Sequence, residues 1–473
     1  MQIIKAHLYR LVLLVFILAI NNFVSAQQMA KKDVVTDFEF FNEAVINAHG
    51  ANYHYNLAVN LDSVLKDIDR IETDSLLITE FRYLIGRAFN EIGCVHTSVS
   101  EFPLEVKLPE ERFFPLPVLL VNENLHIDNH KSKKTKGFIG QKIETINGYS
   151  SVYIVERLLN YLGGDGRGDH DSYAEEIGSL YAPKLISFYL NYPSEFEIKT
   201  SLGSFKVDAV EKPSYRYRSI IPMQKQEKIL KGERAYYVKR DNIPVLRIDK
   251  FKKEDIKFWT KVFEELQVEN PPFFVIDLRG NTGGNRKAGA ELMRFLTGEK
   301  FGYSILQPKL KPKPYLNQQG KRYYRFSKLK YNFGKFTRKN KTELGTSFQF
   351  DFKPHKSTYK GQIIVLMDGL TASTSSMLTT WLDKHSNTHF IGRTAGGGYN
   401  GNNGGVFPRI TLPCSKTVIR FPSYRIVLDD DSKKECGQIP DTKVKYSVDD
   451  WLNNIDRDWE AVLGFIKSVQ KGK

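Results

Sequence analysis

Two glycine-rich turns hold the residue types from which acyl-transfer chemistry is built. Phe273-Phe-Val-Ile-Asp-Leu-Arg-Gly-Asn-Thr-Gly-Gly284 and Met367-Asp-Gly-Leu-Thr-Ala-Ser-Thr-Ser-Ser-Met377 each begin as an apolar run of strand length. Each then ends in small residues and passes into helical apolar spacing. The glycine N–H groups of the first turn allow a reacting atom to come close. The second turn sets a hydroxyl, Ser373, at the start of a helix. Oxyanion donors on one turn and a nucleophile on the other form the pair that acyl transfer needs.

The helix that Ser373 opens has Met377, Leu378, Trp381 and Leu382 on its apolar face, and its N-terminus offers free N–H groups and a positive dipole end. Thr374 N–H, directly after the nucleophile, points at the developing oxyanion. The plain alternative is that these hydroxyl residues only cap the helix. Ser375 and Ser376 are rival nucleophiles, but a helical position restricts their hydroxyls. A serine also needs a base. Among ten histidines, His126/His130 and His385/His389 have a spacing that could place both rings of a pair together, so a metal pair is weighed at each. Gly-x-Ser-x-Gly, a phosphate loop and His-Glu-x-x-His are all absent, which argues against three common enzyme classes.

The elements that must position these residues follow from periodicity. Residues 34–100 are expected to be helical, with Phe38, Phe41, Ala44 and Val45 on one face, and Phe81, Leu84, Ile85, Ala88 and Phe89 on another. Residues 113–220 turn β-like, with runs at Pro117–Val121 and Phe196–Thr200 and an Asn147-Gly148 turn. A helix is expected over Val152–Leu162, closed by Gly163-Gly-Asp-Gly-Arg-Gly168. From about residue 235 strand and helix alternate: strands at Pro244–Ile248, Phe273–Leu278, Ile363–Met367 and His389–Gly392, helices at Glu254–Leu266, Ala288–Leu296 and Ser375–Leu382. That order implies an α/β fold with a mostly parallel sheet, whose function gathers at the carboxyl ends of the strands. No internal repeat is found.

Lys5 and Arg10 precede the apolar run Leu11–Ile20 and then Val24-Ser-Ala26, the pattern of a secretory signal cleaved after Ala26. A retained anchor is the alternative. The expected location is therefore secreted or periplasmic. Three cysteines exclude a disulfide scaffold. The net charge of +15 is concentrated between Lys300 and Lys360, where 16 Lys/Arg face two acids, Glu343 and Asp351. An exported protein rarely meets nucleic acid, so none is expected as a partner. Contact with an anionic envelope surface is one reading of this basic insertion, and a solvated segment whose charges protect an edge is the other.

Asp277-Leu-Arg-Gly-Asn-x-Gly-Gly284, Thr371-Ala-Ser373 and Gly437-Gln-Ile-Pro-Asp441, in this order, resemble the tail-specific (C-terminal processing) serine peptidase family, over residues 235–445 most closely. The resemblance implies a ClpP/crotonase-like catalytic domain over 226–473 with the basic insertion at 300–360. It further implies an N-terminal helical domain at 34–112 and a PDZ-like β-rich module at 113–225. One branch of the family takes its base from a lysine in a Gly-Lys-Gly turn. Here that turn reads Thr394-Ala-Gly-Gly-Gly-Tyr399, with Gly398 in the lysine's place, and Ser376 replaces a frequent acidic residue.

The other, tricorn-type branch uses a histidine in a Gly-x-x-His-Thr/Ser setting, which Glu91-Ile-Gly-Cys-Val-His-Thr97 matches, supported by a glutamate at the position of Glu435. The resemblance thus implies Ser373 as nucleophile, His96 as general base and Glu435 as its support, directly or through Thr97. Oxyanion donors would be the N–H groups of Thr374 and Gly283, and no cofactor or metal is required. Asp277, Arg279 and Asn281 are expected to bracket their turn, and Gly396–Gly405 to be a mobile loop beside the site. If His96 and Glu435 meet, Cys94 and Cys436 come close enough for a disulfide. The expected activity is hydrolysis of polypeptide; a catalytically silent peptide- or lipid-binding protein on the same fold is the alternative.

Overall fold

The strand–helix alternation builds a central sheet whose two faces are both covered. The computed structural model describes residues 28–53, 59–101, 112–130, 132–161, 163–166, 171–190, 192–212, 228–334, 336–429 and 436–471. The expected signal segment at 1–26 and Glu435 lie outside the described residues. The N-terminal part holds helices α1 (Lys31–Ala48), α2 (Asp62–Asp69) and α3 (Ile78–Ile92), then strand β1 (Ser98–Glu101). Between it and the sheet come α4 (Ser151–Tyr161) and α5 (Asp171–Tyr189), which belong to a module with its own core.

The sheet follows with β2 (Ala235–Arg240) and β3 (Ile243–Ile248), a hairpin whose turn residues Asp241 and Asn242 both have positive φ, as a two-residue turn between twisted strands demands. Helix α6 (Ile256–Glu269), strand β4 (Phe273–Asp277), helix α7 (Arg286–Leu296) and the basic helix α8 (Gln318–Asn332) come next. Strand β5 (Gln362–Met367), helix α9 (Thr374–His385) and strand β6 (Thr388–Gly392) complete the region around Ser373. Strands β7 (Val418–Arg420) and β8 (Thr442–Lys443) and helix α10 (Arg457–Lys471) close the chain. A strand at Lys228–Lys231 edges the sheet, and β3, β4, β5, β6 and β8 run parallel.

Successive side chains of a strand point to opposite faces, and both faces are apolar here. Leu246, Ile248, Phe274, Ile276, Val365 and Met367 face the large core under α6, α7 and α9. Val245, Val275, Ile364, Leu366 and Ile391 face a second core capped by Trp459, Val462 and Ile466 of α10. This double coverage is why the strands read as continuous apolar runs. The N-terminal helices share the large core, with Phe38 edge-on to Phe81 at 5.9 Å and Phe41 to Phe89 at 6.1 Å. Buried Asp37 of α1 also accepts from the N–H groups of Cys414 (2.7 Å) and Ser415 (2.9 Å), pinning the early helices to the late chain.

The module carries a four-stranded antiparallel sheet in the order Tyr149–Ser150, Ile143–Ile146, Glu195–Thr200, Gly203–Asp208, with the expected Asn147-Gly148 turn at positive φ. Helix α5 was not anticipated. The basic segment differs more from expectation. Strand Phe301–Pro308 pairs with Gly345–Phe352 and with Arg425–Val427, and α8 buries Tyr324 and Tyr331 against Tyr424. Its charges line the outer face of a stretch that supplies Phe301, Ile305 and Phe348 to the core. It is part of the fold.

At the carboxyl end of β4 the turn is fixed by ion pairs. Arg279 is fully buried and reaches Asp277 (2.8 Å), Asp456 (2.7 Å) and Asp458 (2.9 Å), while Arg247 holds the other oxygen of Asp277 at 2.8 Å. Burial alone would raise the Asp277 carboxyl; Arg247 and Arg279 outweigh it and hold it at about 2. Asp277, Arg279 and Asn281 are thus structural brackets, as expected. Because Arg279 is shared by three carboxylates, Arg279→Met leaves buried anions without their cation, which costs about 3–5 kcal/mol. Urea unfolding is expected to show that loss; an unchanged midpoint would mean that the turn is held by something else.

Candidate active site

The two glycine turns meet at the ends of β4 and β5. Asp368, just past β5, accepts from Gly280 N–H (2.8 Å) and Leu370 N–H (3.0 Å). Thr371 Oγ1 donates to Leu278 O at 3.3 Å, and Ala372 N–H to Asn281 O at 3.3 Å. Thr374 Oγ1 donates to Gly284 O at 2.9 Å. Laced this way, the chain passes through Ser373 with φ 56° and ψ −120°, a conformation that costs an L-residue on the order of 1–3 kcal/mol and persists only where its surroundings enforce it. Ser376 Oγ donates to Ser373 O at 2.8 Å, and Ser375 Oγ is buried. Of the three serines, Ser373 alone is partly exposed.

His96 arrives from the other end of the chain. Helix α3 stops at Gly93 in the left-handed conformation (φ 59°), where an added Cβ would sit 2.5 Å from Gly166 O. The following turn closes through Thr97 N–H to Cys94 O at 3.1 Å. Thr97 Oγ1 is fixed at 2.8 Å by buried His49, whose Nδ1 accepts from Ala51 N–H, so that Nε2 is the donor to the hydroxyl. The His96 ring lies against Phe407, with centroids 5.7 Å apart, and its Nε2 is 3.3 Å from Ser373 Oγ. The expected pair of Ser373 and His96 is therefore brought together. Burial, then Arg420 and Arg286, push the imidazole down to about 4, so it is neutral at physiological pH and able to accept a proton.

The other expected participants divide. Thr374 N–H finds no acceptor among the described residues. The Gly283 N–H, expected as the second donor, donates to Asn281 Oδ1 at 2.8 Å in this structure. The role of Gly283 is clearance. An added Cβ there would lie 2.7 Å from Ser373 Cβ and 2.9 Å from Thr374 N, at φ 102°. Glu435 lies outside the described residues, and His96 Nδ1, buried, has no partner among those described. Cys94 is a buried free thiol, so the Cys94–Cys436 disulfide is not formed.

Asp165 carries no local sequence signal of a site role, because Gly163–Gly168 has the composition of a helix stop. Its carboxylate accepts from Val95 N–H (2.9 Å) and Gly398 N–H (3.4 Å), and burial pushes it up to about 7. An Asp165 oxygen, Cys94 Sγ and a His96 ring nitrogen lie within 4.8 Å of one another. As a metal centre this trio is poor: both carboxylate oxygens serve backbone amides, and burial lifts the thiol to about 12. The only sequence signal was an acidic residue among glycines, which a tight approach of two backbones explains.

The remaining expectations fail for local reasons. His126 Nδ1 bonds Gly140 O (3.0 Å) and His130 bonds Thr135 (3.3 Å); His385 meets Glu299 (3.2 Å) and His389 meets Thr442 (2.9 Å). Among the described residues neither pair belongs to a cluster of three or more potential metal ligands. The Gly396–Gly405 stretch lies beside the site as expected, but it is almost wholly buried and contributes a strand, Gly401–Asn403, paired with Arg425–Val427. Its glycines let it pack: a Cβ on Gly397 would fall 2.9 Å from Ser373 N.

Residues 242–444 match peptidase family S41. Two solved structures of CPAF are similar in fold: mature CPAF complexed with lactacystin, with TM-score 0.60, 13% identity and 93% of this chain and 98% of that one covered, and mature CPAF alone, with TM-score 0.56, 13% identity and coverages of 90% and 94%. No curated protein matches the sequence. The matched stretch carries the S41 domain and the protein is a serine peptidase, a hydrolase acting on polypeptide.

Clearance at Gly283 is directly testable. Gly283→Ala forces Ser373 or Thr374 to shift, and a displacement near 1 Å at the reacting centre costs about 100-fold in rate. The variant is expected to keep its far-UV circular dichroism while losing turnover to that extent; full activity would show that the two turns are not held in contact.

Proposed function

We propose that the protein is an exported serine peptidase that cleaves unfolded or C-terminal polypeptide through a covalent acyl-enzyme, with Ser373 and His96 as its reacting pair. The observation that carries this reading is His96 Nε2 at 3.3 Å from the hydroxyl of a serine held at positive φ. A helix-capping serine needs neither the strained backbone nor the imidazole. That contrast disfavours the silent binding protein.

Ser373 Oγ attacks the carbonyl carbon while His96 Nε2 takes its proton, and Thr374 N–H donates to the resulting oxyanion. His96 then returns the proton to the leaving amine as the C–N bond breaks, which leaves an ester on Ser373. Water, deprotonated by the same nitrogen, attacks that ester; as the ester C–O bond breaks, the imidazolium returns the proton to Ser373 Oγ and the carboxylate product is freed. The neutral imidazole must hold its proton on Nδ1 to accept at Nε2. Glu435 is the proposed partner of that N–H, as the tricorn-type branch implies. Asp165 supplies a second negative charge beside the imidazolium.

Secretion or a periplasmic location remains our reading of the N-terminal signal pattern. Among the described residues no helix is long and apolar enough to cross a membrane. The ClpP/crotonase-like character of the catalytic region and the PDZ-like character of the module rest on the same resemblance. Helix α8 supports contact with an anionic envelope surface, since Phe326, Leu329 and Phe333 stand exposed among its Lys and Arg residues.

A serine-reactive phosphonate is expected to label the wild type and not Ser373→Ala, and His96→Ala is expected to lose at least about 1,000-fold in turnover. Equal labelling of wild type and Ser373→Ala would remove the assignment. The pH profile tests Asp165. A carboxyl raised to about 7 is protonated below that pH and cannot offset an imidazolium, so kcat/KM is expected to rise as pH passes about 7. Asp165→Asn is expected to abolish that step and leave the acid limb near His96's value of about 4. An unaltered step near 7 would assign it to another group.

A further inference from the structure

Beside the Ser373–His96 pair stand two guanidinium groups that no carboxylate among the described residues neutralises. Arg286 is the first residue of α7, two residues past Gly284, whose carbonyl receives Thr374 Oγ1. Its Nη2 donates to Tyr331 OH at 3.3 Å, while its Nη1 is buried without a partner. The backbone opposite is Gly405, where an added Cβ would be 3.0 Å from that Nη1. Arg420 ends β7 and pairs in register with Ser98 of β1, two residues beyond His96. Its Cζ lies 5.1 Å from the centroid of Phe407, the ring that stacks on His96, and its Nε is also buried and unpartnered. Both cations are close enough to disfavour protonation of His96.

Such an arrangement is costly for a free enzyme. A half-buried guanidinium with an orphaned N–H pays desolvation without an ion pair to offset it. By contrast, Arg247, Arg279 and Arg240 all have aspartate partners. Arg286 and Arg420 flank the reacting atoms, and Arg forks match carboxylates in shape as well as charge.

We propose that Arg286 and Arg420 form a subsite for a carboxylate of the polypeptide substrate, next to the bond that Ser373 attacks. This rests on the peptidase reading and deepens it by naming a substrate class: chains with an acidic side chain, or a free terminal carboxylate, within reach of the scissile bond. The subsite also couples specificity to the base. A bound carboxylate offsets the two positive charges that oppose the imidazolium, so His96 becomes a stronger base when the right substrate is present.

The test is a set of internally quenched peptides carrying Glu or Gln at each position around one cleavable bond, with a parallel pair ending in a free acid or an amide. One position is expected to favour Glu over Gln by about 10- to 100-fold in kcat/KM, the range expected for charge-assisted hydrogen bonds; if the terminal carboxylate is the ligand, the free acid exceeds the amide by that factor. The ratio is expected to fall towards one in Arg286→Gln and Arg420→Gln, and Arg420→Glu is expected to shift preference towards Lys. Because each ratio is internal to one variant, partial loss of folded protein does not alter it. A second readout follows from position. Among the described residues, the charged and titratable groups facing His96 are Arg286, Arg420, Cys94 and Asp165; removing either arginine is expected to raise the acid limb of kcat/KM above about 4. Cleavage with no preference for Glu or for the free acid at any position overturns this proposal and spares the peptidase reading, as does phosphonate labelling of Ser373 with no peptide cleaved. Absence of both cleavage and labelling removes the peptidase reading and the subsite with it.

Discussion

The backbone at Ser373 is the constraint on which the rest of the site depends. A serine at φ 56° and ψ −120° does not hold that conformation by itself. It is held because the Asp277–Gly284 turn is bonded to it through Asp368, Thr371, Ala372 and Thr374. That turn is in turn fixed by Arg279 and its three aspartates. Two of them, Asp456 and Asp458, lie at the start of α10. The strain at one hydroxyl therefore reaches, through a few short polar contacts, to the last helix of the chain.

Charge is used in two ways within this fold. Arg279 is satisfied on all sides, so its loss would be felt as instability. Arg286 and Arg420 each leave a buried nitrogen unpaired and act on the one imidazole that must lose and regain a proton. Asp165 mirrors them: a buried carboxylate with only backbone N–H partners, raised towards 7. The three together surround His96 with charges whose balance a substrate can change. Groups that only hold the fold have no such dependence, and this separates the two sets more clearly than residue type does.

Much of this was legible in the sequence where local pattern decides structure. The strands β3 to β6 and the helices between them follow from apolar runs and periodicity, because each strand is buried on both faces. The turn that carries Ser373 was legible from small residues between a strand and a helix. His96 was legible only through its motif, since nothing local separates it from the other nine histidines. Asp165 and the engagement of Gly283 were illegible because both depend on backbone contacts between distant segments. The basic segment misled for another reason: its charges dominate composition, while the Tyr324, Tyr331 and Phe348 that anchor it are spaced among them.

The separation of 277 residues between the proposed base, His96, and the proposed nucleophile, Ser373, gives a reason for the N-terminal helices to share the large core. A base on a loosely tethered domain would spend most of its time away from the hydroxyl, and each ångström of play would lower the rate. Here α3 ends on a glycine packed against Gly166, β1 pairs with β7, and Asp37 binds the chain at Cys414 and Ser415. These contacts tie the segment that carries His96 to the rest of the fold at several separate points. The N-terminal helices are thus a wall of the active site. Their burial does for the imidazole what the two laced turns do for the hydroxyl: it settles the entropic cost of alignment when the chain folds, before any substrate arrives.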